Sequence, residues 1–307
     1  MAHLNRKPIR EQLIGIIRLT RWREYVPFVV PLTILGALLA ARPNGILLDE
    51  RLVAVMAANI LAVAYAFMIN DVEGAAEENL PLESARRNPI TLGMVNIRTG
   101  YAACRIVAAA TLCLYALGGL SVFFIGLSII VLSHMYSWRP VKLKARPVTD
   151  IVTHSLMLSG LLLLAGYFIY HDQPGVVWFV AIGASLFSIY GQLYNQLRTY
   201  DETKQAGLVN TAIWLGEVAT RRIMALSVVL AALCIMVAVF RDVFPLTFLI
   251  SIPTGFMVAS LFRTEGEGYH TRRSRGLLVI NVIIAVWLIY ALGDQIQILE
   301  YIGFLSE

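Results

Sequence analysis

Charged residues are scarce in this 307-residue chain. Asp, Glu, Lys and Arg make up 15% of it, whereas 58% of the residues are hydrophobic. A soluble globular domain usually carries about 25% charged residues, so the shortage indicates a membrane protein. The net charge of +5 is explained by one basic membrane face, and it requires no nucleic-acid partner.

Cysteine and targeting signals are also nearly absent. Cys104, Cys113 and Cys234 fall within apolar runs and lack the spacing of a metal site, so we interpret them as small packing residues. The first 24 residues are basic and lack the apolar core of a cleavable signal peptide. Since no low-complexity segment or linker appears, we expect residues 1–307 to form a single polytopic membrane domain.

Long apolar runs are the dominant feature of the chain. Because a bilayer core needs about 20 apolar residues per helical span, the sequence predicts an all-α integral membrane protein with about nine transmembrane helices. The candidate spans are 25–41, 52–70, 100–119, 121–137, 151–170, 176–194, 223–240, 245–262 and 277–296.

The distribution of Lys and Arg predicts how the chain lies in the membrane. One face keeps only Arg42, Arg51 and Arg241, while Arg105 lies just inside a span and the other basic residues lie on the opposite face. By the positive-inside rule, the N-terminus and the long polar loops are cytoplasmic and the C-terminus is on the other side.

Acidic residues cluster where the second apolar run ends. Asp71, Glu73, Glu77 and Glu78 would occupy the next helical turns, with Glu73 and Glu77 as neighbours and Asp71 and Glu78 near one face. Like-charged neighbours destabilise a helix unless a cation or several hydrogen-bond donors lie between them. Ordinary solvation of a helix end is the alternative interpretation.

A second polar cluster follows the sixth apolar run, in YGQLYNQLRTYDETKQAG at 190–207. RNPITLG at 87–93 also has an echo in VNTAIWLG at 209–216, which suggests two related halves, roughly 20–150 and 151–296. Two acidic clusters with interleaved Arg and Lys suit a metal-bound diphosphate. Mg²⁺ prefers carboxylate and phosphate oxygens, and guanidinium groups bind the remaining phosphate charge.

Three stretches carry a resemblance to a known family: NDVEGAAEE at 70–78, RNPI at 87–90 and YSWRPVKLKARPVTD at 136–150. Over nearly its whole length the chain resembles the UbiA superfamily of intramembrane prenyltransferases. The resemblance implies helices around a central cavity, with Asp-rich motifs after the second and sixth helices. The chain departs from these motifs at Gly74, Glu78, Gln196, Thr199 and Thr203.

The resemblance implies transfer of an isoprenyl group from a prenyl diphosphate to a lipophilic or aromatic acceptor, with Mg²⁺ as cofactor. The metal ligands would be Asp71, Glu78 and Asp201, and the catalytic residues Asp71, Asp201, Arg198 and Lys142. The diphosphate-binding residues would be Asn70, Arg87, Lys142, Arg146, Asn195, Arg198 and Lys204. Glu73, Asp150, Tyr136 and Tyr194 are further candidates, the tyrosines because aromatic faces attract a carbocation.

Each of these residues also has a purely structural interpretation. Tyrosines near an interface often form a belt, basic residues at 142–146 enforce topology, and Asp150 suits a helix N-terminus. Two other functions also remain open: a terpene cyclase without a separate acceptor, and a non-catalytic subunit that binds a lipid, a pigment or a partner complex. The missing carboxylates favour the subunit, whereas the retained basic segment favours an enzyme.

Overall fold

The computed structural model describes residues 8–41, 49–75 and 82–244. Within these ranges the regular structure is helical, and they contain no β-strand. The helices are α1 (Ile9–Thr20), α2 (Val26–Ala41), α3 (Glu50–Gly74), α4 (Leu82–Arg87), α5 (Ile97–Leu117), α6 (Leu120–Ser137), α7 (Thr149–Ser155), α8 (Leu161–Tyr167), α9 (Val177–Arg198), α10 (Tyr200–Gln205), α11 (Thr211–Leu215) and α12 (Glu217–Phe240).

Six helical segments are long and apolar enough to cross a membrane: α3, α5, α6, the continuous α7–α8 unit, α9 and α12. The pair α1 and α2, bent by 58°, is a seventh candidate. These segments coincide with the first seven predicted spans, so the all-α membrane architecture is confirmed. The candidates at 245–262 and 277–296 lie outside the described residues, and the count of nine stays a prediction.

Helix α3 is the central helix of the described bundle, since it packs against α2, α5, α6 and α8. Two glycines allow α2 and α8 to cross closely. A Cβ atom on Gly36 would collide with the Leu163 carbonyl oxygen, and one on Gly166 would collide with the Thr33 carbonyl oxygen. Small residues at a crossing point let membrane helices gain van der Waals contact where no hydrophobic driving force acts between them.

A buried polar side chain, Asn59, ties four helices together. Its Nδ2 donates to Thr33 Oγ1 at 2.7 Å and to the Leu162 carbonyl oxygen at 3.0 Å. Its Oδ1 accepts from the Tyr115 hydroxyl at 2.7 Å. Because Asn59 is fully buried in a membrane-spanning helix, each of its polar groups needs a partner inside the protein.

Replacement of Asn59 by leucine should therefore destabilise the bundle by about 1–3 kcal/mol, because the Tyr115 hydroxyl is left buried without an acceptor. Thermal unfolding of the purified protein in detergent measures this as a lower melting temperature. Tyr115→Phe, which leaves the two bonds donated by Asn59 intact, should cost less. An unchanged melting temperature for Asn59→Leu would contradict the proposed role.

The two polar segments of the sequence lie at one end of the helix bundle. The turn after α6 meets the end of α3 through Lys144 and Asn70, and the start of α7 meets the end of α9 through Asp150 and Gln196. The other end is held by contacts such as Arg51 to the Gly118 carbonyl oxygen, at 2.6 Å. The cytoplasmic location of the polar end and the single-domain organisation with two related halves stay predictions.

Candidate functional site

Asp71, the first carboxylate of the NDVEGAAEE motif, lies on the last turn of α3 and is only 5% exposed. Arg21 engages both of its oxygens: Nη2 lies 2.7 Å from Oδ1 and Nε lies 3.2 Å from Oδ2. Arg21 follows α1 directly, in a left-handed conformation with φ of 50°. This bidentate geometry is the strongest form of Arg–carboxylate hydrogen bonding, so α1 is tied to the end of α3.

Glu73 is engaged as well. The Tyr101 hydroxyl donates to its Oε1 at 2.8 Å, and Arg139 Nε lies 3.4 Å from its Oε2. Only 4% of Glu73 is exposed, so this carboxylate is buried against α5 and the segment after α6. Both carboxylates that the structure describes in this motif therefore have a protein cation beside them.

Asn70 accepts a hydrogen bond from a lysine of the YSWRPVKLKARPVTD stretch at 136–150. Lys144 Nζ donates to Asn70 Oδ1 at 3.1 Å, and Ser137 Oγ lies 3.5 Å from the same oxygen. Lys144 belongs to a short turn, Leu143–Ala145, which Lys142 precedes in a left-handed conformation with φ of 43°. The basic turn is thereby packed onto the end of α3, where the charge of Lys144 also acts on Asp71.

The RNPI stretch folds back onto the same helix end. Asn88 Nδ2 donates to the backbone oxygen of Asp71 at 2.7 Å, while Asn88 Oδ1 accepts from the Ile90 amide at 2.9 Å. The Asp71 carbonyl, which also accepts from the Ala75 amide at 3.0 Å, thus gains a second donor from outside α3. Arg87, which precedes Asn88, is exposed in the last turn of α4.

Asp150 lies in the first turn of α7 and is fully buried. It accepts from Gln196 Nε2 at 2.7 Å, from the Thr211 amide at 2.8 Å and from the Thr211 hydroxyl. Because these donors come from α9 and from the start of α11, Asp150 joins both of these elements to the start of α7, shortly after the basic turn. In this geometry its oxygens serve the scaffold.

The amide at position 196 has a physical reason. Gln196 stands where members of the resembled family usually carry a carboxylate. Its Nε2 donates to Asp150, and its Oε1 accepts from the Ala212 amide at 3.0 Å. A carboxylate here would have no proton to donate and would place a second negative charge against Asp150, so the glutamine fits the network that surrounds it.

Gln196→Glu should accordingly destabilise the protein by about 2 kcal/mol, because a buried charged hydrogen bond is replaced by like-charge repulsion. Such a loss corresponds to a melting temperature lower by roughly 5 °C in a chain of this size. Thermal unfolding at neutral pH tests it. Gln205→Glu, at an exposed position of α10, is the matched control, and equal effects of the two changes would contradict this interpretation.

The remaining polar candidates of the second cluster differ in exposure, since Asn195 and Arg198 are half-buried whereas Asp201 and Lys204 are exposed. Asp201 and Lys204 are exposed on α10, and Lys204 Nζ lies 6.0 Å from the centroid of the Tyr200 ring. Arg198 Nη2 donates to Asn195 Oδ1 at 3.2 Å. The predicted assignments of Asn195, Arg198, Asp201 and Lys204 stay predictions.

The aromatic candidates fall into two environments. Tyr136 is half-buried between α6, α7 and α9, where its hydroxyl accepts from Gln192 at 3.4 Å and its ring lies 6.3 Å from His154. Tyr194 is exposed and stacks on Tyr190, with ring centroids 6.5 Å apart. Of these residues, Tyr136 lies closer to the network around Asp150 in the interior of the bundle.

The structure thus brings Asn70, Asp71, Glu73 and Lys144 together at one helix end. Lys142 is half-buried and Arg146 is exposed on the same basic segment, and Glu78 lies outside the described residues. Sequence reasoning missed Arg21 and Arg139 as site residues, because it used them only as signals of topology. The sequence feature that could have identified them is their position, since each lies close to one end of an apolar span.

Comparison with known proteins agrees with this architecture. Residues 29–282 match the UbiA prenyltransferase family. A UbiA homolog from Archaeoglobus fulgidus bound to GPP and Mg2+ superposes with a TM-score of 0.68 at 22% identity, over 92% of this chain and 99% of that chain. A UbiA homolog from Aeropyrum pernix K1 gives 0.68 at 17% identity, over 87% and 98%.

A further solved structure, of digeranylgeranylglyceryl phosphate synthase, gives a TM-score of 0.64 at 16% identity, over 93% of this chain and 99% of that chain. No match was found among curated proteins. At these identities the solved structures show a shared fold, whereas the family match extends over most of the sequence. The chain therefore belongs to the UbiA prenyltransferase family.

Proposed function

We propose that this chain transfers an isoprenyl group from a prenyl diphosphate to a lipophilic acceptor within the membrane. Prenyl transfer is the general type of function that membership of the family supports, and the Archaeoglobus homolog has been solved with GPP or DMAPP bound. The observation that carries the proposal is the 3.1 Å hydrogen bond from Lys144 to Asn70, which holds the basic turn at the end of α3.

The chemistry requires that negative charge be stabilised as it develops. The bond between C1 of the prenyl group and the diphosphate oxygen breaks, and the diphosphate leaves with the electron pair. An electron pair of the acceptor then forms the new bond to C1, and the acceptor loses a proton. Fixed cations near the leaving oxygen lower the barrier because they need no reorganisation during the reaction.

In this chain the cations at the helix end come from three separate segments. Arg21 follows α1, Arg139 follows α6, and Lys142, Lys144 and Arg146 line the basic turn. Arg21 and Arg139 are bonded to Asp71 and Glu73, which orient them. Lys144 is half-buried and held by Asn70, so we propose it as the main diphosphate-binding cation, with Lys142 and Arg146 as its neighbours.

Mg²⁺ is the cofactor that the solved homolog suggests, and the donor set can be compared with its needs. Mg²⁺ requires carboxylate oxygens free to coordinate it. Within the described residues, no group of three His, Cys, Asp or Glu side chains is placed to hold a metal ion, and both oxygens of Asp71 are bonded to Arg21. As arranged, the oxygens of Asp71 and Glu73 are bonded to protein groups and do not fit the ion, and Glu78 lies outside the described residues, so no step of the proposed reaction is assigned to it.

A non-catalytic subunit is the second candidate function, and one observation favours it. Asp71 and Glu73 are both satisfied by protein groups, which is the arrangement expected if these carboxylates stabilise the fold alone. In that case the apolar interior would hold a lipid or a pigment, or the chain would bind a partner complex.

Incubation of the purified protein with geranyl diphosphate and an aromatic or lipid acceptor tests the proposal. We expect release of diphosphate together with a product heavier than the acceptor by one prenyl group. A product with the mass of the prenyl group alone would indicate cyclisation or elimination. No release with or without added Mg²⁺ across a series of prenyl chain lengths would contradict the proposal and support the subunit.

A further inference from the structure

A cleft of about 460 Å³ opens on the side of the bundle, between α3, α5 and α6. Its lining is mainly apolar and aromatic, and it includes Tyr65, Ile69, Tyr101 and Ala108. The cleft is separate from the basic turn. The two meet only near the end of α3, where Tyr101 donates to Glu73. The lining residues of the cleft differ from those proposed above to bind the diphosphate, but Tyr101 connects the cleft to the site residue Glu73.

Two arginines of α5, Arg98 and Arg105, line this cleft. They are seven residues apart on one helix and therefore lie along one face, two turns from each other. Both side chains are exposed. Arg105 is the eighth residue after Ile97, where α5 begins, which places its Cα about 12 Å along the span.

Neither arginine has a carboxylate partner among the residues that the structure describes. The one bond that Arg105 makes there is long, from its Nε to the Tyr101 carbonyl oxygen at 3.4 Å. A guanidinium at this depth of a membrane span is energetically unfavourable unless it finds an anion or reaches the interface. The two positive charges beside an apolar cleft therefore call for a negatively charged partner.

We propose that the cleft binds an anionic phospholipid, with its phosphate group between Arg98 and Arg105 and part of an acyl chain in the apolar cavity. A guanidinium pair matches the oxygens of a phosphate, and the aromatic and aliphatic walls match a hydrocarbon chain. A cavity of several hundred Å³ is in the range that encloses a small ligand or a segment of a long one.

The apolar lining is what favours a lipid over free phosphate. An inorganic anion would satisfy the two arginines but would leave the cavity walls without a partner. A lipid satisfies both parts, and its headgroup reaches the interface toward which long arginine side chains extend. Phosphate without a tail is therefore one of the outcomes that the experiment must separate.

Native mass spectrometry of the intact protein, titrated with phosphatidylglycerol or phosphatidylcholine, measures this preference. We expect the wild type to bind phosphatidylglycerol at least about tenfold more tightly than phosphatidylcholine, since each arginine near an anionic lipid strengthens binding. The double variant Arg98→Gln/Arg105→Gln should lose the preference. The matched control Arg10→Gln/Arg222→Gln, at two other exposed arginines, should keep it.

Two further variants separate the contributions. Arg105→Lys keeps the charge and should keep most of the preference, which guards against a double variant that fails to fold. Ala108→Trp fills the apolar part of the cleft and should weaken phosphatidylglycerol binding without changing charge. The proposal is overturned if the double variant and its control behave alike, or if inorganic phosphate displaces the lipid while Ala108→Trp has no effect.

Discussion

Lys144→Gln should lower the rate of diphosphate release about 100-fold or more, the range seen when one fixed electrostatic donor is removed from an active site. Lys144 Nζ is held 3.1 Å from Asn70 Oδ1 and is half-buried, so its charge is fixed in place before the substrate binds. Initial rates with geranyl diphosphate, measured by diphosphate release, check this prediction.

The matched controls separate charge from shape and from general surface charge. Lys144→Arg keeps the positive charge and should retain more activity than Lys144→Gln. Arg222→Gln, at an exposed position in the first turns of α12, should leave the rate unchanged. If Lys144 acts mainly on the developing charge, kcat and kcat/KM should fall together, whereas a rise in KM alone would indicate uniform binding of substrate and transition state.

A wild-type rate in Lys144→Gln would contradict the proposed role of the basic turn. A lower melting temperature that accounts for the lost activity would do so too, because the effect would then be one of folding. Thermal unfolding of each variant, measured beside the rates, distinguishes these outcomes.

In the basic turn, the sequence predicted the segment but not which of its side chains contacts α3. The sequence identified the segment and predicted Lys142 and Arg146 as its phosphate ligands. The structure places a further basic residue of the segment, Lys144, on Asn70, because the chain reverses at Lys142 in a left-handed conformation and then forms one tight turn. The roles predicted for Lys142 and Arg146 stay predictions. Which side chain of a short turn faces inward depends on backbone angles that residue types do not determine.

The apolar spans were predictable for a simpler reason. A run of about 20 apolar residues has few alternatives to a membrane helix, because the bilayer leaves every backbone group to be satisfied within the segment. Helices α5, α6, α9 and α12 were therefore predictable; the limits of α6 agree to within one residue, whereas an end of each of the other three differs by several residues from the predicted limit. The wide polar loops carried no comparable constraint.

The partners of the carboxylates were not predictable. Arg21 is fifty residues from Asp71, and their contact depends on the 58° bend between the two N-terminal helices. Asp150 suited a helix N-terminus in the sequence, yet its donors Gln196 and Thr211 come from segments far along the chain. Long-range pairs of this kind follow from the packing of whole helices, which a single sequence without an alignment does not reveal.

The ion pair of Arg21 and Asp71 leads to the second large effect. Asp71→Asn removes the charge and keeps the shape, so Arg21 loses its partner and its orientation. We expect a loss of about 10- to 100-fold in activity, the range typical of residues that hold a ligand-binding side chain in its orientation. Arg21→Gln should cause a similar loss, and initial rates of diphosphate release measure both.

The double variant distinguishes two roles for Asp71. If Asp71 acts by holding Arg21, the double variant Arg21→Gln/Asp71→Asn should be as active as the less active of the two single variants, because each change destroys the same interaction. If Asp71 and Arg21 act independently, the two losses should multiply. Arg23→Gln is the matched control, since Arg23 is exposed and lies over the Trp22 ring, at 5.3 Å from its centroid.

Titration of the same variants with Mg²⁺ completes the test. Arg21 donates to both oxygens of Asp71. If Asp71 serves only to hold Arg21, the Mg²⁺ concentration for half-maximal activity should be the same in Arg21→Gln as in the wild type. A metal that coordinates Asp71 would compete with Arg21, and removal of the arginine would lower that concentration by about tenfold for each 1.4 kcal/mol of lost competition. Such a shift, with multiplying losses in the double variant, would show that Asp71 is a metal ligand and that Arg21 restrains it.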